Sequence, residues 1–198
     1  MNNQEKFWSK KFGDDYVKRN LKVEKSLFIG KNLIKNKIKI KSAIEFGANI
    51  GLNLDEIKKI FPNINSFGIE INKNAYKILK KKHNAINDSL KNFELKNKFD
   101  LVIVCLVLIH INPKDLNKIY KKIYDLSNKY IYIEEYFNPF PVKVKYRNFN
   151  NKLFKRDFAK DIWRKYPDLK LIDYGFCWSE DTYYKKMSDN QTWFLFKK

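Results

Sequence analysis

Glu45, Gly47, Asn49, Gly51 and Glu70 are the residues whose types and spacing first suggest chemistry. The apolar stretch S-A-I-E-F (42–46) runs into G-A-N-I-G (47–51), and glycine lets a backbone approach a ligand without Cβ interference. The spacing is G-x-x-x-G with Asn49 in the middle, not the G-x-G-x-x-G of a pyrophosphate cradle. Glu70 closes the next apolar stretch, 19 residues after Gly51, where an acid can accept both hydroxyls of a ribose. Glu45, one strand over, is placed to face an ammonium. A ribose acceptor, an ammonium acceptor and no phosphate cradle together point to S-adenosylmethionine as the ligand. The alternative is a tight strand-to-helix turn that binds nothing.

Methyl transfer from a sulfonium is an in-line displacement, with reacting atoms held about 3–3.5 Å apart and no metal required. A hydroxyl acceptor benefits from a base, and His is the side chain best poised at neutral pH. The chain has two histidines. His110 follows the apolar run 101–109 and is expected to overlook the methyl group, as base or acceptor-orienting group, unless it only shapes that loop. His83, among lysines, reads as a surface residue. Glu134, Glu135, Tyr136 and Asn138 end a later apolar stretch on the same rim. Glu134 is the second candidate base, since strand alternation sends only one of the two glutamates inward. Arg147, Lys155 and Arg156 are candidates to receive an anionic acceptor, with ion pairs to Asp157 or Asp161 the competing reading. Trp178 and Trp193 read as sheet core.

Composition bounds these readings. The 198 residues are 44% hydrophobic, enough for one domain with a three-layer core, and no run approaches the roughly 18 apolar residues of a membrane span. Cys105 and Cys177 are far apart with no metal-ligand spacing and the N-terminus has no signal-peptide pattern, so a reduced, cytoplasmic protein is expected. The net charge is +19, but 37 of the 41 basic residues are Lys, spread along the chain, and Asn (23) and Ile (22) are over-used alongside them. All three have A/T-rich codons, so nucleotide bias explains the charge as well as an anionic partner does.

The elements that must position these residues follow from periodicity. Residues 14–36 read as one helix, then strand 42–46, helix 53–61 stopped by Pro62, strand 66–71, helix 73–82 and a short strand at 84–87. The run F-D-L-V-I-V-C-L-V-L-I reads as a central buried strand, followed by a helix opened by Pro113 and strand 129–136. Residues 137–154, with two prolines, read as a long functional loop. A helix (157–166) and two closing strands (169–178 and 192–198) complete the chain. Alternation ending in two consecutive strands predicts an α/β Rossmann-like sheet of seven strands with an antiparallel C-terminal hairpin. One domain is expected: a helical cap (1–41), a cofactor half (42–136), and an acceptor loop with the hairpin (137–198).

With that order in place, the chain resembles the class I S-adenosylmethionine-dependent methyltransferases. E-F-G-A-N-I-G, G-I-E-I-N, N-D-S (87–89) and F-D-L-V-I-V-C-L-V-L-I-H-I-N-P match the first four motifs of that class in order, with Asn49 where the class usually has glycine. More narrowly it resembles the methylases associated with pseudaminic acid biosynthesis. That likeness runs through F-W-S-K-K-F-G-D-D-Y-V-K-R-N, L-I-H-I-N-P, E-E-Y-F-N-P-F-P-V, K-L-F-K-R-D-F-A and the closing T-W-F-L-F. The resemblance implies that Glu45, Gly47 and Gly51 line the methionine end and that Glu70 holds the ribose with Ile71 beneath the adenine. It further implies that Asp88 accepts from the adenine amino group beside Ser89, that backbone near Leu106 lies against the cofactor, and that Tyr16 and Arg19 close over it. Asp88 as a helix cap, and Arg19 paired with Asp15 or Glu24, are the competing local readings. The implied activity is methylation of O or N on a nonulosonic acid or its nucleotide-sugar precursor. The alternatives are RNA methylation on the same fold, for which no appended RNA-binding module is visible, and a non-catalytic binding protein. Oligomeric state is not legible.

Overall fold

A computed structural model describes residues 1–21, 28–181 and 189–198. Its centre is a seven-stranded sheet of order β3-β2-β1-β4-β5-β9-β8. The strands are β1 (Ser42–Phe46), β2 (Asn65–Ile69), β3 (Asn84–Ile86), β4 (Phe99–Cys105), β5 (Ser127–Glu135), β8 (Lys170–Cys177) and β9 (Gln191–Lys197). The first five are mutually parallel, while β9 runs antiparallel to both β5 and β8, which gives the expected closing hairpin. β4 is the most deeply set strand, with six consecutive buried residues from Phe99, as its unbroken apolar run requires.

Helices cover both faces. On one, α3 (Phe28–Lys35) and α4 (Leu52–Ile60) bring Leu33, Leu54 and Ile57 against Ala43, Leu101, Ile103 and Leu195. On the other, α6 (Leu116–Leu126) and α7 (Phe158–Lys165) bring Ile119, Ile123 and Ile162 against Val102, Val104, Ile131 and Phe196. The apolar residues of α6 recur at helical spacing, and all five of Leu116, Ile119, Tyr120, Ile123 and Leu126 are buried. The connection from β1 goes to one side of the sheet and β4 lies on the other, so the crevice beyond the tips of β1 and β4 is the switch point where ligands bind in such sheets.

Three expectations are corrected. The single helix over 14–36 is two elements: α2 (Lys11–Asn20) stops at Leu21, which is 58% exposed, and α3 begins at Phe28. Val23 and Leu27, which supported one helix, lie outside the described residues. A further helix, α1 (Asn3–Ser9), precedes these, started by a capping box in which Asn2 and Glu5 satisfy each other's backbone N–H groups. The helix 73–82 is shorter, α5 (Lys73–Leu79). The long loop 137–154 contains a β-hairpin, β6 (Val142–Tyr146) and β7 (Phe149–Lys155), closed by Arg147 and Asn148 at φ 45° and 69°. Two consecutive left-handed residues are what a tight hairpin turn demands, and Arg-Asn carries little of the usual Asn-Gly signal.

His83 is a correction of another kind. Its side chain is buried, with Nδ1 2.8 Å from Ser66 Oγ and Nε2 3.0 Å from Asp55 Oδ1, so it ties β2 to α4. Gly51 sits above it. A Cβ at Gly51, φ 87°, would meet Leu79 Cδ1 at 2.8 Å and His83 Cδ2 at 2.9 Å. Gly51→Ala is therefore expected to destabilise the protein by about 1–3 kcal/mol, from left-handed strain plus displaced neighbours. Urea unfolding of the two proteins measures this; equal midpoints and slopes exclude it.

Candidate cofactor and acceptor cleft

The glycine segment is a chain of left-handed turns. Gly47, Asn49 and Gly51 have φ of 68°, 49° and 87°. Asparagine is among the few non-glycine residues that tolerate this region, which explains how Asn49 stands where glycine is usual. At Gly47 a Cβ would meet Val107 Cγ2 at 2.6 Å, so the turn lies tight against the segment after β4. Glu45, at the end of β1, is 2% exposed and its Oε1 accepts from Asn53 Nδ2 at 2.5 Å. Asn49 Oδ1 is buried without a hydrogen-bond partner among the described residues.

Glu70 follows β2 and is 8% exposed. Its Oε2 accepts the Asn49 N–H at 2.8 Å and its Oε1 the Asn72 N–H at 2.6 Å. Burial nevertheless pushes its pKa up to about 7, because desolvation outweighs those two bonds. Ile71, Asp88, Ser89 and Leu106 line the same cleft. Asp88 is half-buried and accepts its neighbour Ser89's N–H at 2.6 Å; no helix follows it, so the helix-cap reading does not hold. The Ser89 hydroxyl donates to Glu5 Oε1. Leu106 is left-handed at φ 55°, uncommon for a branched apolar residue. The turn it begins is held by Glu135, whose carboxylate accepts the N–H groups of Val107 and Leu108 at 2.9 and 2.7 Å. Burial pushes the Glu135 pKa up to about 8.

His110 ends the one-turn helix Leu108–His110 and lines the far end of the cleft. Its Nδ1 is 2.8 Å from the Lys152 carbonyl of β7. A carbonyl can only accept, so Nδ1 carries the proton and Nε2 is the ring's acceptor. Burial holds the imidazole neutral, with its pKa lowered to about 4. The Trp8 and Tyr146 rings lie 4.5 and 4.9 Å from it, and Tyr16 lies edge-on to Trp8 at 5.4 Å. Trp8, Tyr16, Glu5 and Asn72 all line the cleft. Of these, sequence reasoning found Tyr16 alone. The N-x-x-E signal at Asn2–Glu5 and the aromatic spacing Trp8, Phe12, Tyr16 were the available clues.

Several expected site residues lie elsewhere. Gly51 caps α4 over His83 and does not line the cleft. Arg19 is exposed and rests on the rings of Phe12 and Tyr16 at 5.6 and 5.5 Å; Asp15 pairs with Lys18, and Glu24 lies outside the described residues. Glu134 accepts the Tyr132 hydroxyl at 2.9 Å and Glu135 accepts backbone N–H groups, and neither lines the cleft. Tyr136 is buried with Lys155 over its ring at 5.2 Å, and Asn138 donates to the Phe140 carbonyl. Arg147 is exposed in the hairpin turn. Arg156 pairs with Asp161 at 3.0 Å and Lys155 with Asp189, so the competing ion-pair reading holds for Arg156. Trp193 is core as expected, while Trp178 is 55% exposed.

Among the described residues no cluster of His, Cys, Asp and Glu is arranged to hold a metal ion, and no helix is long and apolar enough to cross a membrane. No protein-family model matches the chain, and no curated protein matches it. Solved structures do. An S-adenosylmethionine-dependent methyltransferase from Clostridium acetobutylicum superposes with TM-score 0.64 at 15% identity, over 94% of this chain and 97% of that one. Magnesium protoporphyrin IX methyltransferase from Synechocystis, solved with S-adenosylhomocysteine, gives 0.68 at 12% identity over 98% and 97%. The plantazolicin methyltransferase, solved with a desmethyl substrate analogue and S-adenosylhomocysteine, gives 0.66 at 15% identity over 98% and 94%. The fold of this chain is that of the S-adenosylmethionine-dependent methyltransferases.

The two raised carboxylates have a consequence for stability. Glu70 and Glu135 bind a proton in the folded protein, at pKa about 7 and 8, that the unfolded chain releases near 4.5. Their contribution is present at low pH and is lost as pH rises through their folded values. His110 acts oppositely, between its folded value near 4 and the unfolded 6.5. Above pH 6.5 only the carboxylates act, so unfolding free energy is expected to fall by roughly 2 kcal/mol from pH 6.5 to 8. Glu135→Gln should flatten that fall; a profile rising over this range contradicts the assignment.

Proposed function

We propose that this protein uses S-adenosylmethionine to methylate an oxygen or nitrogen of a sugar, of nonulosonic-acid type or its nucleotide-linked precursor. The carrying observation is Glu70: a carboxylate buried beyond β2, fixed between the Asn49 and Asn72 amides, in a cleft without a phosphate cradle. The residues fit that cofactor. The Asn49 side-chain amide oxygen is a buried acceptor without a partner among the described residues, and the Gly47 turn admits no side chain. Glu70 would hold the ribose hydroxyls, Ile71 the adenine face and Asp88 the adenine amino group. Glu45 and the Gly47–Asn49 turn would hold the amino-acid end. When bound, the cofactor supplies a methyl group made electrophilic by its sulfonium.

The chain's own residues do the rest. Trp8, Tyr16 and Ile111 wall the acceptor end from water. The Lys152 carbonyl fixes the His110 tautomer, so Nε2 is presented to accept the proton of an acceptor hydroxyl. The sugar acceptor is read from the resemblance of the stretches around His110 and in β6–β7 to those of pseudaminic acid-associated methylases. A cytoplasmic setting is part of this reading, in keeping with two cysteines that form no disulfide among the described residues.

Calorimetric titration with S-adenosylhomocysteine tests the cofactor half. Glu70→Ala should weaken binding by about 1.5–3 kcal/mol, roughly ten- to a hundredfold. Ribose hydroxyls donate to the ionised carboxylate, so binding expels the Glu70 proton, and wild-type affinity should rise between pH 5.5 and 7 by up to about tenfold per unit. His110→Ala should lower turnover while leaving that affinity unchanged. For the acceptor, labelled methyl donor is incubated with fractions containing nucleotide sugars, free nonulosonates or RNA. Label entering RNA alone rejects the sugar reading.

A further inference from the structure

Asn72 is 3% exposed and every one of its polar side-chain atoms is engaged, yet the proposed reaction gives it no role. Its backbone N–H binds Glu70 Oε1 at 2.6 Å. Its Oδ1 caps α5, accepting from the N–H groups of Asn74 and Ala75. Its Nδ2 reaches across to the N-terminal helices, donating to the Trp8 carbonyl at 3.2 Å and to Asp14 Oδ1 at 2.9 Å. Asp14 also accepts from Asn74 Nδ2 at 2.9 Å. The Trp8 carbonyl lies near the end of α1, where carbonyls lack intrahelical partners, so Asn72 satisfies a group the helix leaves open. Gly13 shares the junction: a Cβ there would fall 1.8 Å from the Trp8 carbonyl oxygen and 2.7 Å from Asn72 Nδ2.

Capping alone does not call for asparagine. A helix cap uses only the side-chain oxygen, which serine supplies nearly as well. The two amide donors serve contacts 58 and 64 residues away in sequence, on the elements that carry Trp8 and Tyr16 to the acceptor end. Val17 of α2 packs with Ile50 and Ala75, so the same helices also rest on the glycine turn and on α5.

We propose that Asn72 is a positioning residue that couples the ribose-holding carboxylate to the helices walling the acceptor end. This rests on the cofactor reading above. Ribose hydroxyls donating to Glu70 favour its ionised form, which strengthens its bond to the Asn72 N–H; the Asn72 side chain passes that order to α1 and α2. The acceptor wall is then completed after the cofactor is in place.

Hydrogen exchange on the full-length protein, free and with S-adenosylhomocysteine, tests this with Asn72→Ser, which keeps the cap and loses both donors. In the wild type, ligand should slow exchange across residues 3–20 by about fivefold or more. In N72S, exchange across 3–20 should speed up by a similar factor in the free protein, and ligand should no longer slow it. Wild-type protection of 3–20 in N72S overturns the proposal. Should N72S fail to fold, Gly13→Ala wedges the same junction with Asn72 intact and is read the same way. Should wild type bind no ligand, the cofactor reading fails by itself. The ligand-free comparison of wild type with N72S then decides the link, and equal exchange rejects it.

Discussion

A carboxylate buried beyond the tip of β2 is the constraint on which the cleft depends. Glu70 loses most of its hydration there, and its raised pKa measures how incompletely protein dipoles replace water. What keeps the site tolerable is a pair of backbone N–H groups from two different connections. Asn49 can present its N–H only because the segment from Gly47 to Gly51 turns through successive left-handed residues. Asn72 presents its own because its side chain has already ended the strand and opened α5. The glycine turn and the helix cap are thus two halves of one anion-holding device, with parallel strands setting their separation.

The far side of the cleft repeats this logic. Glu135, raised like Glu70, receives a fan of backbone N–H groups from the turn that Leu106 starts. That turn presses Val107 against Gly47 and delivers His110. Two buried carboxylates, one after β2 and one at the end of β5, therefore fix the two loops between which a ligand would lie. Neither is replaceable by a neutral apolar residue without leaving several buried N–H groups unsatisfied.

This division explains what could be read from the residues alone. The seven-stranded sheet with its closing hairpin and the Glu45, Glu70 and Asp88 positions were legible because each depends on local signals: apolar runs, strand ends and glycine. Glu134 and Glu135 were legible as strand-end acids, but alternation could not tell that one would accept from Tyr132 and the other from the backbone. His83 looked like a surface residue because its neighbours are lysines, yet its partners, Ser66 and Asp55, come from β2 and α4. The acceptor wall was the least legible part. Trp8, Glu5 and Asn72 acquire their positions from bonds spanning 58 residues or more, which the local signals at Asn2–Glu5 and Trp8–Tyr16 do not specify. Arg156 shows a related effect: its guanidinium pairs with Asp161 on the adjoining helix.

On the methyl-transfer reading, the low pKa of His110 bears on the order of events. Burial that holds the imidazole neutral also makes it a reluctant proton acceptor, which would count against a base that must deprotonate a free alcohol before attack. Attack of a hydroxyl oxygen on a sulfonium methyl changes that balance as it proceeds. An acceptor oxygen that gave a lone pair to the cofactor's methyl group would become far more acidic than even this depressed imidazolium. The proton then moves to Nε2 late, with little driving force required of the histidine. Until that moment Nε2 acts as a hydrogen-bond acceptor that aims the oxygen lone pair. Fixing Nδ1–H on the Lys152 carbonyl is sufficient for this, and it requires no carboxylate behind the ring.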